Sequence, residues 1–90
     1  MDRIELEIRE ERVRQEIRFG KQNHDPFKWM SILGEEVGEV NKAANDAYKW
    51  DDKTFGGDRR AALKPMREEL IQVAAVAKAF IECIDRNEWK

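Results

Sequence analysis

Two stretches of this chain each place a glutamate where helical periodicity asks for a core residue. That restricts the possible folds more than any other feature. From Trp29 to Val40 the sequence reads as helix, and its apolar line continues as Trp29, Leu33, Val40, Ala43 and Ala47 with Glu36 standing on it. From Met66 to Val73 the pattern repeats, with Glu69 interrupting a line of Met66, Val73, Val76 and Phe80. A carboxylate in such a stripe loses hydration and must find a partner. If the two stripes face each other the acids meet, and a divalent cation is a natural way to hold them together. Glu35 and Glu39 flank Glu36 at spacings that project all three acids over about one turn.

The rest of the chain is read as helix and connector. Residues 2–19 form a charged helix with a narrow stripe of Ile4, Ile8, Val13 and Ile17, expected to lie on a partner and to end at Gly20. Asp25-Pro26 is a helix start: the aspartate caps free amides, and proline fits the first helical position. The second helix runs from about 26 to 48. Gly34 and Gly38, four apart on it, clear a patch for either a neighbouring helix or a ligand. Residues 49–58 form a loop with Gly56-Gly57 as breaker, and Trp50 and Phe55 either fold back on the bundle or line a binding site. The third helix runs to about 88. Pro65 allows either a short turn at 59–63 before a helix starting near 65, or one helix kinked there. The run Val73-Ala74-Ala75-Val76-Ala77 is apolar nearly all round, so burial on more than one side is expected.

These elements predict one all-α domain over residues 1–90, with three main helices that complete a four-helix-bundle-like core on dimerisation. At 40% charged and 41% hydrophobic residues the chain suits amphipathic helices rather than disorder. Its net charge of −2 gives no support for nucleic-acid binding. The charged start, Met-Asp-Arg-Ile-Glu-Leu-Glu, fits neither a signal peptide nor a membrane span, which makes the cytoplasm the expected location. A single cysteine, Cys83, excludes an intrachain disulfide and reads as a small core residue.

The acids admit two readings. Hard cations such as Mg²⁺ and Mn²⁺ take oxygen ligands, and Mg²⁺ commonly binds through a few carboxylates plus substrate phosphates. Such a site neutralises a polyphosphate and lowers the pKa of a bound water. Glu35, beside the apolar line, suits an outer role orienting that water. The other reading is a solvated acidic face, and the positions of Glu36 and Glu69 within apolar stripes weigh against it. A di-iron bundle wants Glu-x-x-His, and neither helix carries a histidine.

The segment Trp29 to Glu39, with Glu35-Glu36-Val37-Gly38-Glu39, resembles the first acidic motif of the MazG-like, all-α nucleoside triphosphate pyrophosphohydrolases. Glu68-Glu69-Leu70-Ile71-Gln72-Val73-Ala74-Ala75-Val76-Ala77, followed by Ile81-Glu82 and Asp85-Arg86, resembles the second. The lead-in from Arg12 to His24 is similar to that of small MazG-like proteins. The resemblance implies homodimers or homotetramers that cut (d)NTPs between the α and β phosphates, giving (d)NMP and pyrophosphate with Mg²⁺ or Mn²⁺. It implies Glu36, Glu39 and Glu69 as metal ligands and Glu35 as the additional acid. Gln72 stands where the family has aspartate; its amide oxygen can ligate a hard cation but supplies no charge. Gln22, His24 and Trp29 precede the acidic motif, where related proteins place the base pocket. Read from the residues alone, His24 is either a polar neighbour of the cap or a substrate contact. Lys49, Lys53, Arg59 and Arg60 either meet phosphates or are surface charge. The rival expectation is a MazG-like nucleotide- or metal-binding module weakened by Gln72; a purely structural helical partner would leave Glu36 and Glu69 unexplained.

Overall fold

The structure, a computed structural model, describes residues 1–48 and 58–86. The predicted loop features Lys49, Trp50, Lys53, Phe55 and Gly56-Gly57 lie outside the described residues. Three α-helices and no strand are found among the described residues: α1 (Arg3–Phe19), α2 (Pro26–Ala47) and α3 (Arg59–Arg86). None of them is long and apolar enough to cross a membrane.

Each helix begins on an aspartate. Asp2 accepts from the Glu5 amide at 2.8 Å, and Asp25 accepts from the Lys28 amide at 2.9 Å with Pro26 opening the helix. Asp58 accepts from the amides of Arg60 and Ala61 at 3.0 and 3.2 Å. That cap decides between the two readings of the third helix: α3 starts at Arg59 and runs through Pro65 as one helix. Proline removes one interior hydrogen bond, and an already capped first turn with a long apolar continuation outweighs the loss. At the end of α1, Gly20 takes φ 71° and its amide donates to the Glu16 carbonyl at 2.8 Å, a conformation that favours glycine.

Helix α3 is the centre. Both α1 and α2 pack on it, and among the described residues they do not pack on each other. The α2–α3 contact holds the core of Trp29, Val76, Ala79 and Cys83, bordered by Ile32, Leu33 and Phe80. Trp29 is only 1% exposed; it stacks on Phe80 with ring centroids 5.7 Å apart and meets the His24 ring edge-on at 5.0 Å. Cys83 is fully buried, as expected, with its thiol 3.7 Å from the His24 carbonyl oxygen.

One packing expectation changes. The Ile4–Ile17 stripe does not dock α1, since Ile4, Val13 and Ile17 are exposed, Ile17 at 81%. The step of five from Ile8 to Val13 rotates the second pair by roughly 140°, so the four residues do not share a face. Helix α1 instead docks through charge. Arg67 grips both oxygens of Glu7 at 2.9 and 2.5 Å, and Arg12 reaches Glu82 at 3.2 Å. The glycine patch is open: a Cβ at Gly34 or Gly38 would meet nothing within 4 Å, so among the described residues no helix packs there.

The charged docking of α1 has a testable pH signature. Arg67 holds the Glu7 carboxyl below the usual carboxylate range, chiefly through the hydrogen bond. Its stabilisation is therefore present above the unfolded carboxylate value and is lost as pH falls through the lowered one. Below about pH 4, and with added salt, the 17 residues of α1 should lose helical signal before the α2–α3 pair melts, because a free helix of that length is marginal. Circular dichroism against pH checks this. One cooperative transition, unchanged in Glu7→Gln, would contradict it.

Candidate functional site

Glu36 on α2 is half-buried, as is Glu69 on α3, the helix packed against it. The Glu36 Oε2 atom is buried without a hydrogen-bond partner. Burial pushes the Glu36 carboxyl up from its ordinary value, and the charges of Glu69, Glu39, Glu11 and Glu35 push it further. The two glutamates that interrupt separate apolar stripes are thus brought within electrostatic reach of each other. Glu35 and Glu39 are exposed at the edge of this group. Among the described residues, no three His, Cys, Asp or Glu side chains converge into a set that could hold a metal ion as they stand.

Sequence reasoning missed Glu11. It comes from the inward, polar face of α1 and adds to the field on Glu36. Arg14 holds its carboxylate at 2.9 Å and the Gln15 amide donates to it at 3.5 Å. The available signal was the helical row Glu7, Glu11 and Gln15, whose polarity marks the docking face once apolar docking is set aside.

Gln72 is half-buried and lines a cavity of about 280 Å³ between α1 and α3, together with Glu7, Glu10, Arg14 and Glu11, the α1 acid that acts on Glu36. It stands three residues beyond Glu69 on the same helix.

Gln22, His24 and Trp29 are brought together at the start of α2. The Gln22 amide is hydrogen-bonded to the His24 ring at 3.0 Å, and His24 rests on Trp29. Trp29 is a core residue that supports His24 from beneath; Gln22 and His24 form the partly exposed rim. Arg86 fastens this connector, donating to the Gln22 carbonyl at 3.2 Å and to Asn23 Oδ1 at 2.7 Å.

No protein-family model, curated protein or solved structure matches the chain.

Proposed function

We propose that this protein is a divalent-cation-dependent nucleotide pyrophosphohydrolase of MazG-like type, converting (d)NTP and water to (d)NMP and pyrophosphate in the cytoplasm. The observation that carries the reading is the pair Glu36 and Glu69, with one Glu36 oxygen buried and unpartnered. A hard cation fits that donor set, because oxygen ligands and negative charge are what it requires. Glu36, Glu39 and Glu69 would hold Mg²⁺ or Mn²⁺, with the Gln72 amide as a neutral further donor. When bound, the ion supplies charge neutralisation at the phosphates and a more acidic water. Glu35, exposed beside the pair, orients the attacking water and takes its proton. Gln22 and His24 contact the base, and Trp29 keeps the His24 ring in place.

The working unit is a homodimer or homotetramer. Met30 and Val37 on α2 and Leu70, Ile81 and Ile84 on α3 are exposed in the single chain, and the two open glycines lie on the same helix as the first pair. A second copy covering these faces completes the four-helix arrangement.

A second reading is favoured by the neutral Gln72: a nucleotide- or metal-binding module without turnover. Product analysis separates the two. Purified protein with a (d)NTP panel and Mg²⁺ should give monophosphate and pyrophosphate, stopped by EDTA and by Glu69→Ala. Diphosphate with orthophosphate would refute the bond assignment. Metal-dependent nucleotide binding without product, with turnover appearing in Gln72→Asp, would establish the module instead.

A further inference from the structure

A cavity of about 1050 Å³ opens between the beginning of α1 and the first turns of α3. Among the described residues five cationic side chains line it, Arg3, Arg59, Arg60, Lys64 and Arg67, against a single carboxylate, Asp58. That is a marked local excess on a chain of net charge −2. Asp58 is already engaged, its Oδ1 accepting from the amides of Arg60 and Ala61. Arg67 is engaged as well, by Glu7. Among the described residues Arg3, Arg59, Arg60 and Lys64 make no ion pair, although the charge of Arg3 acts on Glu7.

Unneutralised like charges gathered in one groove repel each other and complement a ligand of dense negative charge. Arg60, Lys64 and Arg67 recur at steps of four and three, so they line one side of α3, and Arg3 faces them from α1. Planar guanidinium groups match phosphate oxygens two at a time, and the ammonium adds a point charge. The start of α3 contributes its own positive end. The groove lies on a different side of α3 from Glu69: Arg67, its lining residue nearest to Glu69 in the chain, is roughly 160° away round the helix.

We propose that this groove binds an oligophosphate, a linear chain of two or more phosphates, without a metal ion. The chain's source is either a free oligophosphate or the tail of a nucleotide. The inference does not rest on the hydrolytic reading, because the binding it describes needs neither the acid cluster nor a cation.

The test is calorimetric titration of the whole protein with inorganic tripolyphosphate in EDTA at low ionic strength. Saturable binding that weakens as NaCl is raised is expected. The Arg59→Gln/Arg60→Gln/Lys64→Gln variant should bind roughly tenfold more weakly or not at all while keeping its helical signal. Glu36→Gln/Glu69→Gln should bind as the unmodified chain does. Displacement by ATP would assign the groove to nucleotide tails, and its absence to free oligophosphate; either accords with the proposal. No saturable binding, full binding by the triple variant, loss in the Glu36/Glu69 variant, or binding of a single-stranded oligonucleotide but not of tripolyphosphate would overturn it.

Discussion

Glu36→Leu should make the protein more stable and, if the proposed chemistry holds, inactive. In the metal-free fold Glu36 is half-buried, has one oxygen without a partner and sits in the field of four other carboxylates. Its raised pKa means that the folded state disfavours the ionised form. The penalty is absent below the unfolded carboxylate value and fully present above the raised one, so stability falls as pH rises through that window. This is opposite in sign to the contribution of Glu7. Leucine removes the penalty and continues the line of Leu33 and Val40. Discounting for partial exposure, the gain at neutral pH is about 1–2 kcal/mol, at roughly 4–8 °C in Tm per kcal/mol for a chain of this size. Thermal melts in EDTA at pH 7 and pH 4 measure it; the advantage of the variant should shrink at the lower pH. A residue retained at a cost to stability is the pattern expected of a functional site. Destabilisation by Glu36→Leu in EDTA would mean that Glu36 has a structural partner and that the site assignment is wrong.

Trp29→Ala should unfold the isolated chain under conditions where the unmodified protein is folded. Truncating a fully buried aromatic side chain costs about 3–5 kcal/mol, and typical small-domain stability is about 5–15 kcal/mol. Here the loss falls on a narrow core. Trp29 is the largest side chain among the buried residues, and its neighbours Ala79 and Cys83 are too small to close the space it leaves. The Phe80 ring would also lose its stacking partner. Denaturant titration with a helical readout checks the prediction. Trp29→Phe, which keeps an aromatic face against Phe80, should retain the fold with a lower midpoint. A Trp29→Ala midpoint within experimental error of the unmodified protein would show that the α2–α3 contact is not the stabilising one.

The sequence carried the elements with strong local signals. Asp25-Pro26 announces α2, because cap and proline act within one turn, and the period of Trp29, Ala43 and Ala47 correctly names its buried face. That Glu36 and Glu69 act on each other was suggested for the same reason, each being an exception to an otherwise regular stripe. The docking of α1 was not. Isoleucines suggested a stripe, but their spacing splits them between faces, and the ion pairs that dock the helix join residues sixty and seventy positions apart. No local pattern encodes such pairs. Glu11 was missed with them, since its relation to Glu36 exists only once α1 lies on α3. The start of α3 was ambiguous because Pro65 is a loud signal and Asp58 a quiet one, and the capped first turn prevailed. Gln72 shows the limit of spacing as a guide: it stands three residues beyond Glu69, and only the packing of α1 on α3 places it beside Glu7, Glu10 and Glu11.

The place of Cys83 gives the chain a built-in clock. Its sulfur lies fully buried beneath residues 23 and 24, within 4.0 Å of Asn23 Oδ1 and 3.7 Å of the His24 carbonyl oxygen. The connector that covers the thiol also carries Gln22 and His24 and is tied down by Arg86. A thiol reagent gains access when that strap lifts or when the whole fold opens. Because this is the only cysteine in the sequence, the modification rate reports a single position. Under native conditions that rate counts every opening that uncovers Cys83, of the strap or of the whole fold, without any label having to be engineered into the protein.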